Sequence, residues 1–180
     1  MSFSTNIGEA VLELVRGDIT LEHTDAIVNA ANAQLSPGGG VSGAIHRAAG
    51  PGLWKEAKTL KGCDTGEAKI TKGYDLAAKY VIHTVGPVYS GSRSDPERLA
   101  DCYKNSLLLA EQKGLGSISF PSISTGIFGY PLDEASKVAI KTIMGHLLSS
   151  GKLKLVKMVL FSEDDYKVYE DTLKTILKDL

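Results

Sequence analysis

Short apolar runs rich in β-branched residues alternate along this chain with longer segments whose apolar positions recur at helical spacing. The runs Ala10–Val15, Ala26–Asn29, Glu67–Thr71, Tyr80–Thr84, Ser117–Phe120 and Leu155–Phe161 read as strands. Leu99, Cys102, Tyr103, Ser106, Leu107 and Ala110 share one helical face; Val138, Ile140, Ile143, Met144, Leu147 and Leu148 share another, with Gly151 as its stop. A last stripe holds Tyr166, Tyr169, Leu173, Ile176 and Leu177, and its tyrosines are expected in the core. Strands alternating with helices imply an α/β fold, a largely parallel sheet covered on both faces. With no linker, repeat or low-complexity tract, residues 1–180 are expected to form one domain. In such folds ligands bind beyond the carboxyl ends of the strands, which directs attention to the loops after Val28, Thr84, Phe120 and Phe161.

Charge changes the picture in one respect. Twenty basic residues against twenty-one acidic ones leave a net charge of −1, so an anion site here needs directed donors rather than a broad basic field. The same balance disfavours nonspecific nucleic-acid binding, which depends on counterion release. Cys63 and Cys102 have no metal-ligand spacing around them and read as reduced thiols. No stretch approaches the roughly 18 apolar residues of a membrane span, and the N-terminus lacks a signal-peptide pattern. A cytoplasmic protein without membrane contact is the expectation.

Gly38-Gly39-Gly40-Val41-Ser42-Gly43 runs into the helix-prone Ala44–Ala49. Glycines allow close backbone approach to a ligand, and free N–H groups at a helix start favour an anion; the alternative is a flexible surface loop. Gly38, Gly40 and Gly43 match GxGxxG, but eight residues, Ala30 to Pro37, separate them from the preceding strand. A Rossmann site needs the strand to end at the first glycine, so a nicotinamide-dependent oxidoreductase is not supported. There is no P-loop pattern either.

A second loop, Pro121–Pro131, follows a strand with hydroxyls and two glycines, and suits a nest of N–H groups for another phosphate. Within it Ser122-Ile123-Ser124-Thr125-Gly126 lacks the first glycine of a nucleophile elbow, which argues against a serine hydrolase. Asn29-Ala30-Ala31-Asn32 ends a strand with two amides, read either as turn chemistry or as recognition of a ribose. Asp18, in Gly17-Asp18-Ile19-Thr20, can cap a turn or accept a hydrogen bond from an adenine amine. His23, His46, His83 and His146 are scattered and read as structural, with no metal site expected.

Together these stretches resemble the macrodomain family, in its MacroD-type branch of ADP-ribosyl hydrolases and O-acetyl-ADP-ribose deacetylases. The matching segments are GDIT at Gly17, IVNAAN at Ile27, GGGVSGAIHRAAGP at Gly38, TGEAKIT at Thr65, YVIHTVGP at Tyr80 and SISTGIFGYP at Ser122. The resemblance implies a three-layer α/β/α sandwich around a mixed, largely parallel six-stranded sheet, with no cofactor. It implies binding of ADP-ribose and of small molecules or proteins that carry it. Asp18 and Ile19 would receive the adenine, and Phe161 would pack on its ring. Gly40, Val41, Ser42 and Gly43 would form one phosphate loop and Ser124, Thr125, Gly126, Ile127 and Phe128 the other. Asn32 would contact the distal ribose, with Phe128 packed against it.

One position departs from the family's pattern. The branch usually carries Asp where this chain has Ser42, and that carboxylate is thought to orient or deprotonate the attacking water. A hydroxyl can hold a water but is no general base at neutral pH, and such assistance contributes about 100- to 10,000-fold. Two readings therefore stand: a hydrolase of ester-linked ADP-ribose using Asn32 and Ser42, or a reader of ADP-ribose with little turnover. Phosphatase action on ADP-ribose 1″-phosphate is a third, lesser possibility for the same cleft.

Overall fold

A computed structural model describes residues 1–180, with side chains at every position except Ser150. Seven strands form one sheet: β1 (Ser2–Ile7), β2 (Ala10–Arg16), β3 (Ala26–Ala30), β4 (Ala68–Lys72), β5 (Tyr80–Thr84), β6 (Ser117–Phe120) and β7 (Leu155–Leu160). Their order is β1-β2-β7-β6-β3-β5-β4. The five inner strands run parallel, while β1 and β4 pair antiparallel at the two edges.

The expected mixed, largely parallel sheet is present, with one strand more than the six read from the sequence. The extra strand is β1. Its exposed Ser2, Ser4 and Asn6 alternate with half-buried Phe3 and Thr5 and buried Ile7, so it shows no apolar run. It pairs only with β2, through a two-residue turn in which Gly8 takes the positive φ of 61° that such turns need at their first position.

Helices α3 (Ser94–Gln112), α4 (Leu132–Ser150) and α5 (Glu163–Lys178) cover one face. They close a core with Leu12, Leu14, Val28, Ile82, Phe120 and Met158 from the sheet. Tyr166 and Tyr169 lie in that core, as expected, whereas Leu148 is 63% exposed instead of joining the α4 stripe. On the other face α1 (Gly40–Ala49) and α2 (Pro51–Ala57) place Ile45, Ala49 and Leu53 against Ile27, Val81 and Val159. Each such fully buried aliphatic side chain contributes about 1.5–3 kcal/mol. Ile27 faces one layer and Val28 the other, the alternation that a strand buried on both sides requires. Among the described residues no helix is long and apolar enough to cross a membrane.

Candidate functional site

The parallel strands β2, β6 and β7 end at a cleft of about 470 Å³. Its walls include Asp18, Ile19, Gly40, Val41, Thr125, Gly126 and Phe161, drawn from the Gly17, Gly38 and Ser122 stretches and the end of β7, while the Ile27, Thr65 and Tyr80 stretches give no wall residue.

The glycine run supplies one wall because it opens α1. Gly39 precedes the helix with no side-chain cap, and the first bond of the turn runs from the Gly43 N–H to the Gly39 carbonyl, 3.2 Å away. The N–H groups of Gly40, Val41 and Ser42 find no acceptor among the described residues. Three free donors at a helix start, with the positive end of its dipole, form an anion site that needs no lysine. Gly43 allows the loop to fold back on this turn: a Cβ there would collide with the Gly38 carbonyl oxygen.

Asn32 and Ser42, from different elements, converge beside the same glycine. The Asn32 Nδ2 lies 3.7 Å, and the Ser42 Oγ 3.8 Å, from where a Cβ on Gly38 would stand. Asn32 Oδ1 accepts the Ser36 N–H at 3.0 Å, and its Nδ2 donates to the Ser36 carbonyl and hydroxyl, both 3.1 Å. The amide is thereby held at the mouth of the loop. The Ser42 hydroxyl is buried and has no partner among the described residues. Asn29, its companion in the sequence motif, is committed elsewhere. Its Nδ2 donates to His83 Nδ1 at 3.1 Å, and His83 Nε2 meets the Thr71 hydroxyl at 2.9 Å. Burial pushes the His83 pKa down to about 3, so this imidazole is neutral and ties β3 to β5 and β4.

The second loop presents donors without a helix. Ser124 takes φ 69°, a left-handed conformation that costs a serine energy and turns the following backbone. The N–H groups of Thr125, Gly126, Ile127 and Phe128 have no protein acceptor among the described residues, the pattern of an anion nest. Hydroxyls brace the loop from below. Tyr169 on α5 meets the Ser122 hydroxyl at 2.8 Å, and Thr125 donates to the same oxygen at 2.8 Å. Tyr103 on α3 accepts the Ile123 N–H at 3.2 Å. Gly86 lets this loop pack closely, since a Cβ there would meet the Ser124 hydroxyl and the Ile123 side chain.

Asp18 caps the 3-10 turn Ile19–Leu21, its Oδ1 accepting from the Thr20 N–H at 2.9 Å and hydroxyl at 2.7 Å, with Oδ2 left open at the cleft rim. Both readings of that carboxylate are thus compatible in one residue. Phe161 stands 79% exposed on the cleft wall. Ile127 is 99% exposed at the tip of its loop and lines no wall of the cleft, and half-buried Phe128 uses its carbonyl to accept the Tyr89 N–H.

Three residues at the site escape a reading of motifs. Arg47, one turn after Gly43 on α1, lines the cleft without an ion pair among the described residues, and Asp165 lines it from the first turn of α5. His46 follows Ser42 by one helical turn, is 8% exposed, and leaves Nε2 without a partner. Burial lowers its pKa, so the ring is neutral at neutral pH. The helical i, i+4 spacing is the signal that connects Ser42 with His46. Cys63 and Cys102 are buried free thiols pushed up to about 11, which makes them inert.

Known proteins share this arrangement. The family profile described as Macro domain matches residues 28–139. The ADP-ribose glycohydrolase MACROD2 of Homo sapiens is 53% identical over 162 residues, 88% of this chain. The chain spans only 38% of that protein's length. The solved structure of an Oceanobacillus iheyensis macrodomain with ADP is 47% identical and superposes with a TM-score of 0.97, covering 100% of this chain and 98% of that one. A Trypanosoma brucei macrodomain in complex with ADP-ribose is 48% identical with a TM-score of 0.85, covering 89% of this chain and 68% of that one.

Proposed function

The chain belongs to the macro domain family, and from that premise we propose that its cleft binds ADP-ribose and hydrolyses ester-linked ADP-ribose, including O-acetyl-ADP-ribose and proteins modified on carboxylate side chains. The observation that carries this reading is the pairing of two sets of unpartnered N–H groups, Gly40 to Ser42 and Thr125 to Phe128, around one cleft. A diphosphate is the ligand group that such a pair of backbone anion sites suits. Asp18 Oδ2 accepts the adenine amine, and Phe161 packs on the ring. Asn32 and Ser42, meeting at Gly38, receive the distal ribose and the water.

In hydrolysis, water adds across the ester bond and releases ADP-ribose and a free carboxylic acid. The water must lose a proton, and the Ser42 hydroxyl cannot take it unaided. Two acceptors remain: a substrate phosphate oxygen, or the neutral His46 imidazole one turn below. A reader with little turnover is the second reading, favoured by the missing carboxylate at Ser42.

The test incubates the chain and its Ser42→Asp variant with O-acetyl-ADP-ribose and with a glutamate-linked mono-ADP-ribosylated protein, following release of ADP-ribose. Turnover by the unaltered chain is expected, rising by about 100-fold or more in the variant if general-base assistance is what serine lacks. Tight ADP-ribose binding with turnover only in the variant establishes the reader instead.

A further inference from the structure

A second groove, of about 520 Å³, runs along α1 and α2 and is walled by Pro37, His46, Arg47, Trp54, Lys55 and Lys58. Its lining carries three cationic side chains and no carboxylate, in a chain whose net charge is −1. Arg47, Lys55 and Lys58 are exposed and form no ion pair among the described residues. Glu56, the carboxylate beside them in sequence, is turned to the Lys72 N–H at 3.0 Å and the Tyr74 hydroxyl at 2.7 Å. Half-buried Trp54, packed on the cluster of Ala31, Leu35 and Ala57, gives the groove an apolar floor.

The groove adjoins the ADP-ribose cleft at one side chain. Arg47 lines both cavities. Pro37 adjoins Gly38, the residue beside which Asn32 and Ser42 converge. A chain leaving the distal ribose on that side meets cations first.

We propose that this groove receives the acidic segment flanking the modified carboxylate of an ADP-ribosylated protein; the proposal rests on the functional reading above. An ester link to a protein is made on Asp or Glu and consumes that residue's charge, so the charge that meets Arg47, Lys55 and Lys58 must come from further carboxylates flanking the acceptor. Three unpaired cations beside an apolar floor match a peptide with further acidic residues and an apolar side chain. Complementary rim charges act on partner choice and encounter rate more than on the core of a site. The groove therefore sets which acceptors are preferred, while the cleft sets affinity for ADP-ribose itself.

The test uses the full chain and a Lys55→Glu/Lys58→Glu double variant, both outside the ADP-ribose cleft. Two peptides carry ADP-ribose through a hydrolysis-resistant amide on a central residue, one flanked by Asp and Glu, the other by Gly and Ser. Free ADP-ribose and a short ADP-ribose polymer serve as further probes. The unaltered chain is expected to bind the acidic peptide about tenfold more tightly than the neutral one at low salt, and the double variant to lose that preference while binding free ADP-ribose equally well. Equal affinity of the unaltered chain for both peptides overturns the groove proposal alone. A variant effect confined to the polymer assigns the groove to polymer and overturns the peptide assignment. Failure of the unaltered chain to bind free ADP-ribose overturns the functional reading together with the groove.

Discussion

The loop entering α1 offers N–H groups that belong to a helix, whereas the loop after β6 offers N–H groups of a segment with no regular structure. Direction in the first case comes from ten residues of helix whose Ile45, Ala49 and neighbours are locked against the sheet. Direction in the second comes from one left-handed serine and from hydroxyls reaching up from α3 and α5. Both deliver free donors to one cleft. The first does so by packing and glycine, the second by a polar network and local strain. A glycine loop is therefore expected to fail abruptly when crowded, and a braced loop to weaken by degrees.

Crowding gives the largest expected effect. In Gly43→Ala the new methyl group meets the Gly38 carbonyl oxygen, which is backbone and cannot swing aside, so the first turn of α1 must shift. We expect ADP-ribose affinity to fall by about 100-fold or more, about 2.7 kcal/mol, in a calorimetric titration. Gly126→Ala in the other loop has open space and no positive φ, and is expected to change affinity by less than about threefold. Circular dichroism separates a shifted turn from an unfolded chain. Similar losses in both variants would erase the distinction between the loops.

Removing a brace ranks next. Tyr169→Phe deletes the hydroxyl that meets Ser122 at 2.8 Å inside a buried site, where burial also pushes the Tyr169 phenol up to about 12. The loss of stability is expected at about 1 kcal/mol, the net value of a typical hydrogen bond. ADP-ribose should dissociate a few-fold faster because Thr125 leans on the same Ser122 oxygen. A stability loss with unchanged dissociation would mean that α5 holds the core but not the loop.

The first of these loops was easier to read than the second, and the reason is physical. A glycine run before a helical pattern announces both its flexibility and its free N–H groups. The brace under the second loop joins Tyr103, Ser122 and Tyr169, 66 residues apart at their ends, and each tyrosine alone reads as core. Strands with apolar runs were legible, but β1 hid because an edge strand can leave every second residue polar. Asn29 and Asn32 look equivalent in sequence; only burial separates the one that ties strands from the one held beside the glycine loop. The i, i+4 spacing places His46 and Ser42 on one face of α1, which the scatter of the four histidines along the chain does not bring out.

The smallest expected effect tests whether the second loop works through its backbone at all. Ile127 is 99% exposed at the loop tip, and its side chain touches no wall of the cleft. If the donors from Thr125 to Phe128 carry the ligand, then Ile127→Ala leaves every one of them in place and should shift ADP-ribose affinity by less than about twofold. A tenfold loss has a different meaning. It requires the isoleucine to leave water and cover the bound ligand, since burying such a side chain is worth about 1.5–3 kcal/mol. The loop would then be a moving cover rather than a fixed nest, and the contrast with the helix-borne loop would become one of motion instead of construction. Comparing Ile127→Gly with Ile127→Ala decides between them: under a fixed nest only the added backbone freedom weakens binding, so Ile127→Gly binds less well than Ile127→Ala. Under a moving cover Ile127→Ala already carries most of the loss, because the side chain is what both variants remove, and Ile127→Gly adds only the same small backbone cost.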